Sequence, residues 1–288
     1  MSKYDVSISV IMGVYNQNDE KVLREAVDSI LNQTFKDFEF IIYDDGSQPD
    51  AALILEIIKK IDPRIVLIGQ EKNHGLAFSL NACIEQARGK YIARMDADDI
   101  SDPNRLKVQY DFLEKNPQYS WCGCNARLLD ENGIWGTREM PEAPAEKDYL
   151  KYSPYIHPTV MYRASLFEET DGYKVSEETL LCEDYEIFMR LRQMGKRGYN
   201  IQETLFTYRE DSDSYRRRDF KRGINEAKVR FENFNKLHVL FPTGWVYVFR
   251  PIIACLVPRE MIYILKRMKT RKKPWKKELE SELIITGK

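Results

Sequence analysis

Over about the first 100 residues, short apolar runs rich in β-branched residues alternate with amphipathic segments, and this rhythm limits the possible folds more than any other feature. Residues 7–14 (SISVIMGV) predict a buried strand. Residues 20–32 predict a helix with Val22, Leu23, Ala26, Val27, Ile30 and Leu31 on one face. The same reading gives strands over 38–43, 64–68 and 91–95. Helices fall over 51–60 and 75–87, the latter closed by Gly89. Strand–helix units in series imply an α/β protein: a parallel sheet with helices on both faces. After Asp99 the rhythm changes. Helices are expected over 103–115, 183–194 and 219–237, and strands over 120–129, 159–162 and 198–208. Glu131-Asn132-Gly133 marks a hairpin turn continuing to about residue 138.

Acids collect where these strands end. The second strand runs into Asp44-Asp45-Gly46-Ser47 and the fourth into Asp96-Ala97-Asp98-Asp99. Ligands of open α/β sheets bind beyond the carboxyl ends of the strands, so these residues share one functional rim. Crowded carboxylates raise one another's pKa unless a cation lies among them. Mg²⁺ or Mn²⁺, completed by substrate phosphates, would resolve that conflict. The competing reading of Asp96, Asp98 and Asp99 is a turn plus a helix N-cap, and Asp102 already supplies the cap. Neither a Gly-x-Gly-x-x-Gly after the first strand nor a P-loop signature is present, so dinucleotide and P-loop chemistry are disfavoured.

Charge and cysteine usage bound the compartment and partners. The 288 residues carry a net charge of −1, so no bulk attraction to nucleic acid is expected. Five scattered cysteines do not form a disulfide framework and point to a cytoplasmic protein, with Cys122 and Cys124 read as small residues on a buried strand. No signal peptide pattern opens the chain, and no apolar stretch reaches the ~20 residues that span a bilayer.

SVIMGVYN, SILNQTFKDFEFIIYDDGS, NHGLAFSLN, ARGKYIARMDADD, DPNRL and CEDYEIFMRL occur in an order and spacing that resemble family-2 glycosyltransferases of the GT-A fold. The resemblance covers roughly residues 6–208 and is nearest to bacterial enzymes of capsular polysaccharide, exopolysaccharide or O-antigen synthesis. It implies a mixed, mainly parallel sheet flanked by helices, with a C-terminal helical tail. The implied domains are a catalytic domain over 1–240, divided into a nucleotide-binding half (1–100) and an acceptor half (101–240), and a basic tail over 241–288. It implies an inverting, metal-dependent enzyme that moves one sugar from a nucleotide-sugar, usually a UDP-sugar, to a hydroxyl of a glycan or polyprenyl-diphosphate-linked saccharide. Val14 and Tyr15 would contact the nucleotide and Asp45 the base, with Asp44 shaping the turn. Asp96 would hold the ribose or the metal, and Asp98 the Mn²⁺ or Mg²⁺. Asp184 would be the general base, beside Glu183. Arg94 could face the donor or act as a buried ion-pair partner. His157 would lie on the acceptor side or serve a structural role, and Arg216, Arg217 and Arg218 could meet donor phosphates or form a solvated helix start.

The chain departs from the family in carrying Ser79-Leu80-Asn81 where relatives have Ala-Arg-Asn, which questions a basic contact there. The motif and membrane spans of processive polymerases are absent, which favours single-sugar addition. Between Arg259 and Lys277 there are nine Lys or Arg residues and one acid. With the aromatics of residues 245–268, this segment suits peripheral attachment to an anionic membrane on its cytoplasmic face, or a helix packed on the domain with a solvated basic end. Two other functions remain open at this stage. A sugar-nucleotide nucleotidyltransferase would want a Gly-rich basic loop after the first strand, where Val14-Tyr15-Asn16-Gln17 stands. A non-catalytic scaffold would not need the full set of acids.

Overall fold

The computed structural model describes residues 4–210 and 220–257. Arg216, Arg217, Arg218 and the basic run from Arg259 to Lys277 lie outside the described residues.

A nine-stranded sheet forms the centre. Its strands are β1 (Val6–Val14), β2 (Phe38–Asp45), β3 (Ile65–Gln70), β4 (Gly89–Arg94), β5 (Ile100–Ser101), β6 (Trp121–Asp130), β7 (Gly133–Arg138), β8 (Met161–Arg163) and β9 (Gly198–Arg209). The order is β3-β2-β1-β4-β8-β6-β9-β5, with β7 also paired to β6. β3, β2, β1 and β4 are mutually parallel, as right-handed strand–helix–strand crossovers require. β8 enters antiparallel between β4 and β6, and β9 runs parallel to β6. The carboxyl ends of β1, β2, β4, β6 and β9 therefore reach the same rim.

Helices cover both faces. They are α1 (Glu20–Leu31), α2 (Pro49–Lys59), α3 (Leu76–Gln86), α4 (Arg105–Lys115), α5 (Ser165–Glu168), α6 (Glu183–Gln193), α7 (Phe220–Lys236) and α8 (Gly244–Ala254). Side chains alternate across a strand, so β1 sends Ile8, Val10, Met12 and Val14 to one face and Ile11 to the other. The first set packs against Leu23, Val27 and Ile30 of α1, Leu55 of α2 and Leu106 of α4. Ile11 joins Leu80 and Cys83 of α3, Ile187 and Phe188 of α6, Phe234 of α7 and Val248 of α8. Cys122 and Cys124 are buried on β6.

The strand expected over 159–162 starts later. His157–Thr159 form a 3₁₀ turn, with Thr159 donating its hydroxyl to the Ile156 carbonyl at 2.7 Å, and pairing begins at Met161. Among the described residues, no helix is long and apolar enough to cross a membrane.

Candidate active site

The donor side of the rim is tied together by backbone amides. Asp44 accepts from the Ser47 N–H at 2.9 Å, closing the turn after β2. Asp45 is only 2% exposed, and its two oxygens accept from the N–H groups of His74 (2.9 Å) and Gly75 (2.8 Å). The loop before α3 is thereby drawn over the end of β2. Gly46 permits this approach: its φ is +75°, and a Cβ there would stand 2.7 Å from the Lys72 carbonyl carbon. The loop after β1 joins the same unit. Asn16 donates its N–H to the Ser47 hydroxyl at 2.9 Å, and its side-chain oxygen accepts from the Gln48 N–H at 2.7 Å. Val14 is buried, whereas Tyr15 presents an exposed ring on the rim.

Asp96, Asp98 and Asp99 follow β4 directly, and their ligand oxygens all lie within 4.8 Å of one another. Asp98 is solvent-exposed as a residue, with protein crowded around its carboxyl. That crowding first, and the charge of Asp96 second, push its pKa up to about 6. Asp99 is fully buried and is raised well above the carboxylate range by burial, then by Asp96 and Asp98. One Asp99 oxygen accepts from the Arg209 N–H at 2.7 Å, and the other is buried without a hydrogen-bond partner. Three clustered acids, with Asp98 and Asp99 resisting ionisation and an idle buried Asp99 oxygen among them, fit the hard-oxygen donor set of a divalent cation.

Arg94 lies beneath this floor. It is 1% exposed, and its Nη2 pairs with Asp96 at 2.7 Å. The buried ion pair expected of Arg94 is present, with Asp96 as its partner. Its Nε and Nη1 are buried without partners. Its charge favours the ionised forms of Asp98, Asp99, Glu183 and Asp184. One guanidinium thus acts on both acid groups of the rim.

Glu183 and Asp184 open α6, where the helix N-terminus favours negative charge. Leu181, just before them, has φ +64°, a left-handed conformation that is costly for a branched side chain. Arg222 of α7 holds that turn by donating to the Leu181 carbonyl at 2.9 Å. Burial and then the charge of Asp184 raise Glu183 to about 7. Burial also raises Asp184, opposed by the N–H of Tyr185 and then by Arg94. Asp184 keeps partial access to solvent, while Glu183 is buried along a cleft edged by His74, Gly75, Val175 and Leu180.

His157 lies in the interior, held by the tyrosines around it. It is buried, its Nε2 meets the Tyr173 hydroxyl at 2.8 Å, and that hydroxyl meets the Tyr162 hydroxyl at 3.2 Å. Burial, then the Arg94 charge, hold its pKa well below the usual range, so the ring is neutral. Leu80 is buried in the apolar core, and Asn81 brackets the backbone of Tyr173 with two 2.8 Å hydrogen bonds, so no basic contact arises at that triplet.

Three supporting residues escape a reading by motif. Arg105 is buried and donates to the carbonyls of Arg94 (3.0 Å) and Pro158 (2.9 Å), bracing the floor. Gln33 donates to Asp102 and Ser101 and accepts from the Leu106 N–H, fixing the loop after the acids. Arg209 donates Nε to the Asp98 carbonyl at 2.9 Å and pairs with Glu25 at 3.3 Å. Arg105 and Gln33 sit inside DPNRL and SILNQTF, which was their only sequence signal.

Residues 9–171 match the family model "Glycosyl transferase family 2". The chain belongs to that family. It is accordingly a glycosyltransferase, and family membership sets aside the nucleotidyltransferase and scaffold alternatives. The transferase is 37% identical over 268 residues to the putative glycosyltransferase EpsE of Bacillus subtilis, covering 92% of this chain and 95% of that one. It is 28% identical to the Escherichia coli UDP-Gal:alpha-D-GlcNAc-diphosphoundecaprenol beta-1,3-galactosyltransferase, covering 93% and 98%. Among solved structures, S. aureus TarS in complex with UDP-GlcNAc superposes with TM-score 0.64 at 18% identity, covering 89% of this chain and 73% of that one. The mannosyltransferase PcManGT of Pyrobaculum calidifontis, in complex with GDP-Man and Mn²⁺, gives 0.63 at 15% identity, covering 95% and 85%. These likenesses establish the GT-A fold.

Proposed function

We propose that the transferase moves one sugar, with inversion, from a UDP-sugar to a hydroxyl of a glycan or polyprenyl-diphosphate-linked saccharide in surface polysaccharide synthesis. The observation that carries this reading is the clustered Asp96, Asp98 and Asp99 after β4, with Asp96 paired to the buried Arg94 at 2.7 Å, together with Glu183 and Asp184 at the start of α6. Tyr15 offers a ring face for the base, and the Asp45-tied loop forms the wall beside it. Asp98, with Asp96, would hold Mn²⁺ or Mg²⁺. Once bound, the metal supplies Lewis-acid stabilisation of the departing diphosphate. Asp184 takes the proton of the acceptor hydroxyl as its oxygen attacks the anomeric carbon and the bond to the diphosphate breaks. The Tyr185 N–H and then Arg94 oppose the rise in the Asp184 pKa that burial causes.

The UDP-GlcNAc and GDP-Man/Mn²⁺ complexes of the structural neighbours support the nucleotide-sugar and metal parts of this reading. The name of the E. coli relative supports the lipid-linked acceptor. Such an acceptor places the transferase on the cytoplasmic face of a membrane, with the basic run after Arg259 as its electrostatic attachment.

The test is a screen of UDP-, GDP- and dTDP-sugars for metal-dependent hydrolysis, followed by transfer to lipid-linked saccharides. UDP-sugar turnover is expected to fall about 10²–10⁴-fold in Asp184→Asn. Wild-type rates in that variant, or turnover unchanged by EDTA, would overturn the assignment.

A further inference from the structure

α8 presents an apolar ridge with no protein against it among the described residues. Val246, Phe249, Ile253 and Leu256 recur at helical spacing along one side, and Leu256 and the preceding Phe241 are each 76% exposed. The ridge is continuous: the Trp245 ring lies 6.0 Å from Phe241 and 6.3 Å from Phe249. The opposite side of α8 is fixed, with Val248 and Pro251 buried against the domain. Phe241, Val246, Phe249, Ile253 and Leu256 are each at least half exposed and adjoin one another, which makes a contiguous apolar patch rather than scattered single residues.

We propose that this ridge is a membrane-insertion face that seats in the headgroup–acyl boundary of an anionic bilayer. The inference rests on the membrane attachment proposed above and assigns it a second, apolar contact. Three observations favour lipid. The ridge mixes exposed aromatic and aliphatic side chains, suited to a boundary with water on one side and hydrocarbon on the other. Arg250 on the same helix is exposed and donates to the Lys151 carbonyl at 2.7 Å, leaving a cation at the flank. From residue 259 the chain enters the run of nine basic residues and one acid, charge that complements anionic headgroups.

The experiment uses the full chain with Trp275→Phe, so that Trp245 is the remaining tryptophan outside the core; Trp121 and Trp135 are buried. Vesicles of equal parts phosphatidylglycerol and phosphatidylcholine, with and without brominated acyl chains, are the probe. Trp245 emission is expected to shift to the blue and to be quenched by bromine. Phe249→Glu with Ile253→Glu is expected to weaken partitioning about tenfold or more, leaving metal-dependent nucleotide-sugar hydrolysis in solution unchanged. Vesicle binding without quenching of Trp245 overturns the ridge and leaves the basic-tail attachment standing. Quenching that survives neutralisation of Lys272, Lys273, Lys276 and Lys277 with unchanged affinity overturns the tail attachment and leaves the ridge. Sedimentation velocity showing a dimer that the Glu variants dissociate, without any vesicle binding, assigns the face to a second copy and overturns the proposal.

Discussion

Glu183 is predicted to withhold stability that a single neutral substitution restores. Its carboxyl is 8% exposed, and burial followed by the charge of Asp184 moves its pKa from 4.5 to about 7. In the unfolded chain the same group titrates near ~4.3. Between those values the folded protein keeps a proton that the unfolded chain has released, so stability is full below about pH 4.5 and falls as pH rises through 7. The displacement corresponds to about 3 kcal/mol lost by pH 8.5. Glu183→Gln keeps the shape and removes the charge. Urea denaturation in EDTA, with the Asp96 cluster unchanged in both proteins, is expected to show the variant more stable by about 2–3 kcal/mol at pH 8.5. At pH 5 the gap should have narrowed to about 1 kcal/mol, and at pH 4 the two should agree within about 0.5 kcal/mol. Thermal melting at pH 8.5 should rise by roughly 4–10 °C. Parallel stability–pH curves for the two proteins, or a variant that is weaker at pH 8.5, would refute the reasoning.

Other consequences are sharper at the donor side. Asp98→Ala is expected to abolish divalent-metal stabilisation in thermal melts and to lower turnover at least ~100-fold; a retained metal-induced shift would count against Asp98 as a ligand. Gly46→Ala puts a Cβ 2.7 Å from the Lys72 carbonyl carbon at φ +75°, and should cost about 2–4 kcal/mol and weaken nucleotide binding measured by calorimetry. Arg209→Ala removes the contact to the Asp98 carbonyl and the pair with Glu25 while sparing its backbone donation to Asp99. Its expected signature is a rise of about tenfold in the metal concentration needed for half-maximal turnover, with unchanged fold by circular dichroism.

Most of the sheet was legible because its strands are long and bounded by strong breaks in periodicity. The expected helix over 20–32 and strand over 198–208 match α1 and β9 to within a residue. β5, two residues long, and α5, four residues long, lack the span from which any periodicity can be read. The acids of the site were visible because strand ends announce themselves. Their supports were not: Gln33 reaches Asp102, and Arg209 reaches Asp98, across 69 and 111 positions of chain. Arg94 and His157 show a second limit. Each is polar and lies near the acids, yet burial decides its part, and burial depends on neighbours such as Tyr173 that local sequence does not reveal.

The lacing of Asn16 to Ser47 and Gln48, and of Asp45 to His74 and Gly75, has a practical meaning for altering this enzyme. Three loops from distant stretches of chain share their hydrogen bonds: exchanging 44–48 strips acceptors from the Asn16, His74 and Gly75 amides, exchanging the first loop strips the acceptor of the Gln48 amide, and exchanging the third strips Asp45 of its donors. Attempts to change which nucleotide the transferase accepts should therefore transplant residues 13–17, 44–48 and 72–76 together, as one cassette.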